Sequence, residues 1–249
     1  SSNRLGKVLW TNRGEEKSTS APALGEQQRK ILRIDAAKAD GGLKMAINTK
    51  KPAYKLTVGA QYICFAAESA ADGWDGTFDA EVTKYPTVVN VQIEDNGDSA
   101  TMYASGKVYD QITDVSSKTV TEENIAFPDA VVAKMKGDTV QDGIVISGGQ
   151  RDRPYFAYGY VKVKSDGSKI MRWFPKCKLS ENSDETATST DSHSDQNDTL
   201  TVKAMPFNDN KDIDTCVDTS NEKYAAVTEE KFFAKPITSI AEAAALITE

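Results

Sequence analysis

The alternation of apolar and polar residues predicts a chain built mostly of strands. YKLTVGAQYICFA (54–66) is rich in β-branched and aromatic residues and reads as strand. In PTVVNVQIE (86–94), Val89, Val91 and Ile93 fall on one face and Asn90 and Gln92 on the other, the two-residue period of a half-buried strand. DNGD (95–98) then predicts a hairpin turn, because Asn-Gly accepts the positive φ that a type I′ turn requires. ATMYAS, KVYDQITDV and SKTVTEENIAF continue as short strands. RPYFAYGYVKVK (153–164) and SKIMRWFPKCKLS (168–180) flank Ser165-Asp166-Gly167 and predict a long hairpin. Tyr155, Ala157, Gly159, Val161 and Val163 share one face there, with Phe156, Tyr158, Tyr160 and Lys162 on the other, so that hairpin is expected to be covered on both sides. LTVKAMPF (200–207) reads as a core strand.

Two segments break the two-residue period in favour of helix. Pro128 suits a first helical position, where its missing N–H costs nothing. Asp129 and the pair Lys134 and Lys136 match the dipole, Val131, Val132 and Met135 form an apolar stripe, and Gly137 is the stop. Near the C-terminus, Ser239 and Glu242 have capping-box spacing before AAALI, a helix too short to stand without docking. Residues 1–22 hold Gly6, Gly14, Pro22 and a Ser/Thr cluster, and read as an extended arm anchored only by Val8, Leu9 and Trp10. RKILRID (29–35) fits either a short strand or part of a helix, and Gly41-Gly42 ends it. SENSDETATSTDSHSDQND (180–198) is so polar and acidic that it fits a disordered loop or a solvated edge strand.

Composition narrows the chemistry. The 249 residues are 39% hydrophobic, and no run approaches the roughly 18 apolar residues of a membrane span. SSNRLGKVLW lacks the pattern of a secretory signal, so synthesis in the cytoplasm is expected. Cys64, Cys177 and Cys216, odd in number and widely spaced, are expected to be reduced thiols. The single histidine, His193, lies in the polar run with no apolar anchor, which argues against a Ser-His-Asp triad or a His-rich metal site. Asp209, Asp212 and Asp214 stand in a row but miss the EF-hand spacing. ISGGQRDRP (146–154), with Gly148, Gly149, Arg151 and Arg153, lacks the Lys-Ser/Thr of a P-loop. No catalytic residue, cofactor site or metal site is expected.

Charge is distributed unevenly. The net charge is -7, yet residues 1–55 carry twelve Lys/Arg against five Asp/Glu, and residues 56–249 carry 18 against 32. The basic segment could bind nucleic acid, dock on an acidic neighbouring copy of the chain, or be a soluble tail. Its cations are dispersed and only Trp10 and Tyr54 could stack on bases, which makes nucleic acid the weakest of the three.

The succession VGAQYICFAAE, a Gly-rich turn, then PTVVNVQIEDNGDSATMYASGKVYDQ resembles the opening strands of siphophage major tail proteins. Met102-Tyr103-Ala104-Ser105-Gly106 stands where that family has a "YADN"-like segment. PDAVVAKMKG, the strands of 151–180, the polar run and TEEKFF follow in the family's order, so the resemblance covers roughly residues 57–235. It implies a mainly β fold, a tail-tube-type β-sandwich or barrel with one flanking α-helix; the chain then divides into a basic N-terminal arm (1–55) with no counterpart in the family, a β domain (56–236) and a short C-terminal helical segment (237–249). It also implies a structural subunit of a long non-contractile tail, not an enzyme. Copies would form stacked, hexameric rings around a tape measure protein, with tail terminator and distal tail proteins as further partners. DNA would pass through as cargo that does not stick, in a virion assembled in the host cytoplasm. Self-assembly contacts are then expected at Arg4, Lys7, Trp10, Arg13, Tyr155, Tyr158, Phe232 and Phe233, and an acidic surface or lumen at Glu181, Asp184, Glu185 and Asp191. A cationic bore would hold a duplex through counterion release, so a neutral or acidic one is expected. The alternative is a monomeric carbohydrate-binding or adhesin-like β-sandwich using Trp74 or Trp173, and a carboxylate-pair hydrolase is a distant third.

Overall fold

The computed structural model describes residues 49–70, 73–184, 186, 188 and 197–247. The expectations for Arg4, Lys7, Trp10, Arg13, residues 29–35 and Gly41-Gly42, and those for Glu185, Asp191 and His193, lie outside the described residues.

The unit from Pro52 to Glu249 is mainly β and is organised around one large antiparallel sheet. Its strands are β1 (Lys55–Phe65), β2 (Thr83–Tyr85), β3 (Val88–Ala104), β4 (Lys107–Asn124), β7 (Phe156–Lys164), β8 (Lys169–Ser183), β9 (Asp198–Ala204) and β10 (Thr215–Asp218). Their order is β2-β1-β7-β8-β9-β4-β3, with β10 added to β8. β5 (Thr139–Gln141) and β6 (Ile144–Ile146) make a separate small hairpin.

The β7–β8 hairpin forms about Ser165-Asp166-Gly167 as expected, with Gly167 at φ 81. Asp166 holds the turn by accepting from the Ser168 N–H and hydroxyl at 3.0 and 2.6 Å. This hairpin is buried on both faces. One face joins Ile63, Val120, Tyr158, Tyr160, Phe174, Leu200 and Val202. Phe127 and Met135 close that core from α1 (Asp129–Lys136) and its approach. Gly137 ends α1 in the left-handed region at φ 73, as predicted. Pro128, however, is the N-cap and not the first helical residue. Its ψ of 122 is extended, and its carbonyl accepts the first helical bonds from Val131 and Val132.

The other face is covered by the C-terminal segment. α2 (Glu229–Phe232) and α3 (Ile240–Ala245) bring Phe232, Phe233, Ile237 and Ala243 against Tyr62, Ala157, Met171 and Trp173. Phe233 stacks on Tyr62 at 3.7 Å, and the Trp173 indole donates to the Phe232 carbonyl at 3.2 Å. Gly159 makes this fit possible: a Cβ there would lie 2.7 Å from the Phe233 ring and 2.8 Å from Trp173. Glu229 fastens the segment, accepting from Tyr62 at 3.0 Å and from Lys169 at 2.5 Å. Burial alone would raise its pKa, but these partners and Lys84 bring it below the usual value. The terminal cap forms in half as read: the Ser239 hydroxyl accepts from the Glu242 N–H, but the Glu242 carboxylate reaches back to the N–H of Thr238, one residue before the cap.

Two expectations are corrected. DNGD is not a turn; β3 runs straight through it, and Asn96-Gly97 is a bulge. The short strands predicted on either side are two long ones, of 17 and 18 residues, which reverse at Ser105-Gly106. Both of those residues have positive φ, 52 and 74, the requirement of a type I′ turn. β8 extends to Ser183, and β9 from Asp198 lies between β8 and β4; the Thr/Ser-rich stretch between them, read as loop or edge strand, lies outside the described residues apart from 186 and 188.

Candidate assembly surface

The β3–β4 hairpin has a rooted half and a free half. Near its root, Val91, Ile93 and Val115 pack on the core, and Asn96 donates to the Thr119 hydroxyl at 2.7 Å. The bulge at Asn96/Gly97 marks the change. Gly97 is required there, because a Cβ would overlap the Asp114 carbonyl. Beyond it, every residue from Gly97 to Asp114 is exposed. These include Tyr103 at 71%, Tyr109 at 77% and Ile112 at 51%, with Met102 and Val108 beside them.

The register sorts this free half into two faces. Asp98 lies opposite Asp114, Ala100 opposite Ile112, and Met102 opposite Asp110. Cross-strand partners share a face, so one face carries three aspartates around Ala100, Met102 and Ile112, with Lys107 opposite Ala104 at its turn end. The other carries Ser99, Thr101, Gln111 and Thr113 and is uncharged. Asp98 and Asp114 are like charges directly opposed, an arrangement that destabilises a strand pair. Lys211, at 4.0 Å from Asp114 and largely exposed, is the nearest counter-ion.

A cluster of lysines lies on one face of β8 and β9, a face that also carries Glu181 opposite Thr201. Lys178 is directly opposite Lys203, and Lys176 precedes Lys178 by one strand repeat. Lys176 lies 5.2 Å from the centroid of Tyr155 and 5.4 Å from that of Trp74, and Lys178 lies 4.2 Å from Tyr155. Burial and then the neighbouring Lys178 press the Lys176 pKa below its ordinary value. Among the described residues the exposed Asp152, at 3.3 Å, is the one carboxylate paired with Lys178, and Lys203 has none.

The structure separates the residues expected to act in assembly. Tyr155 is half-buried beside Trp74, on this lysine face. Glu181 and Asp184 are exposed at the end of β8 and beyond it. Tyr158, Phe232 and Phe233 are corrected: all three are buried in the chain's own core, at 0, 0 and 3% exposure, and present no surface to another copy. Trp173 is likewise fully buried and cannot serve a glycan platform. Sequence reasoning missed the hairpin's aspartate face, because Asp98 and Asp114 become neighbours only through the Ser105-Gly106 turn.

Elsewhere several charged groups are engaged with one another. Asp214 binds Lys118 at 2.6 Å and Arg172 at 3.1 Å, and Asp212 is held by Asn208 in a turn. Arg151 meets Asp138, while Arg153 donates to the carbonyls of Leu179 and Ser180. Among the described residues no group of three His, Cys, Asp or Glu could hold a metal ion. One carboxyl is deeply buried. Glu122, at 1% exposure, faces Gln61, Asn124 and Tyr158, and desolvation raises its pKa to about 7, against the hydrogen bonds that favour its charged form.

No family model matches the chain, and no curated protein is significantly similar to it.

Proposed function

We propose that the protein is a self-assembling structural subunit of the tail-tube type, whose copies join into stacked rings that form a conduit for DNA. The observation that carries this reading is the free half of the β3–β4 hairpin. Two strands standing away from a core are marginal by themselves. Here they display Met102, Tyr103, Val108, Tyr109 and Ile112 to solvent, an apolar surface of the kind that marks an interaction site. A subunit that completes its burial only beside other copies accounts for that surface. The order of strands, helix and closing TEEKFF resembles the siphophage major tail proteins, which supplies the tube, the tape measure protein within it and the terminator and distal proteins at its ends. The exposed Glu181 and Asp184 suit a wall that does not hold DNA.

Sedimentation velocity and negative-stain microscopy of the purified chain test the reading. Rings or tubes are the expected result. A particle that stays monomeric at high concentration overturns it, and glycan binding by such a monomer would establish the carbohydrate-binding alternative.

A further inference from the structure

We propose that the aspartate face of the β3–β4 hairpin docks on the lysine face of β8 and β9 in a second copy of the chain. This rests on the self-assembly reading and says which two surfaces meet.

Two register pairs carry the inference. Asp98 opposes Asp114 on the hairpin, and Lys178 opposes Lys203 on the sheet. Each is a like-charge pair in direct cross-strand position, which weakens the strand pair that holds it. Within the chain only Asp114 and Lys178 have a counter-ion among the described residues, the exposed Lys211 and Asp152 respectively, and each pair offers the other the opposite sign. Both have the same cross-strand geometry, with roughly 5 Å between facing Cβ atoms, so two carboxylates can meet two ammonium groups with neither strand pair changing register. The apolar positions match as well. Met102 and Ile112 lie on the aspartate face, and the rings of Tyr155 and Trp74 lie under Lys176 and Lys178. Asp110 extends the carboxylates toward the turn as Lys176 extends the ammonium groups along β8.

The two surfaces cannot satisfy each other within one chain. Lys203 sits opposite Thr119 of β4, and Thr119 is about 16 Å of strand away from Asp114. Charge complementarity across an interface fixes register and excludes wrong partners. Because the two surfaces differ, the contact is head-to-tail, the type that generates closed rings or open filaments.

The test uses charge reversal on the full chain. One variant carries Asp98→Lys and Asp114→Lys; a second carries Lys178→Glu and Lys203→Glu; a third carries all four. Circular dichroism first establishes that each is folded. Each double variant alone is expected to lose at least tenfold of its assembled fraction in sedimentation velocity. An equimolar mixture of the two should co-assemble, because each hairpin then meets an opposite charge, and the fourfold variant should assemble alone. Carbodiimide coupling of the native protein, with isotopically mixed copies, should join the Asp98 or Asp114 peptide to the Lys178 or Lys203 peptide between chains. If the native chain assembles but either double variant does so equally well, or the mixture stays apart, this contact is wrong while the self-assembly reading stands. A native chain that never associates removes both.

Discussion

The Gln61 amide, turned so that its nitrogen faces inward, donates to the Glu122 carboxyl at 2.5 Å in the interior of the sheet. In that orientation the Gln61 amide oxygen lies 2.6 Å from the end of the Asn124 side chain. No Lys or Arg neutralises Glu122 among the described residues; desolvation is what raises its pKa to about 7.

Stability should therefore fall as pH rises from about 4.5 to about 7. Over that window the folded chain keeps a proton on Glu122 that the unfolded chain has released, so deprotonation favours unfolding. Glu122→Gln stays neutral and escapes this loss. At pH 8 it should be more stable than the native protein by up to about 3 kcal/mol, and at pH 4 the two should be equal. Urea unfolding at both pH values checks the crossover; a pH-independent difference would show that Glu122 is not the group responsible.

Gly159→Ala should cost about 2 kcal/mol. The added methyl group would press on the Phe233 and Trp173 rings, both held in the core, and overpacking of this kind typically costs 1–3 kcal/mol. Chemical denaturation measures it, and a loss in near-ultraviolet dichroism from Trp173 should accompany it.

Replacing Tyr109 and Ile112 by Ser should separate folding from assembly. Both side chains are exposed and touch no core, so unfolding free energy should move by no more than about 0.5 kcal/mol per site. Assembly, read by light scattering, should be lost.

Of the three cysteines, only Cys216 should react with a maleimide in the folded state. Cys64 and Cys177 are fully buried, and burial pushes both thiols up, Cys64 to about 11. Partial burial raises the Cys216 thiol too, against the pull of Arg172, but Cys216 is exposed, and access decides the labelling. Mass spectrometry after brief labelling should find one adduct, and three after unfolding in urea.

The mainly β texture was legible because burial in a sheet imposes its own period on the side chains. The β7–β8 hairpin was legible because Ser165-Asp166-Gly167 has one structural use, and the Ser239–Glu242 cap because its spacing is local. The β3–β4 turn was not. Asn96-Gly97 satisfies a type I′ turn and a bulge equally well, and the choice is made by long-range pairing of β4 with β9. Phe232 and Phe233 looked available for contact because nothing local shows that Gly159 leaves a recess for them. The lysine face was invisible for the same kind of reason: Lys178 and Lys203 meet across a strand pair whose connecting run carries no structural signal.

The long hairpin also bears on the order in which the chain acquires its structure. β3 and β4 pair through neighbouring residues about Ser105-Gly106, whereas β1 must wait for β7, and β4 for β9, from much later in the chain. Local pairings form faster than those that close long loops. On the ribosome the hairpin is thus able to take shape while the strands that will carry it are still being made, and its exposed tyrosines are on display before the rest of the molecule has folded. Nascent copies crowded on one message would meet through their least protected surface, which makes the timing of synthesis a determinant of how cleanly this protein accumulates.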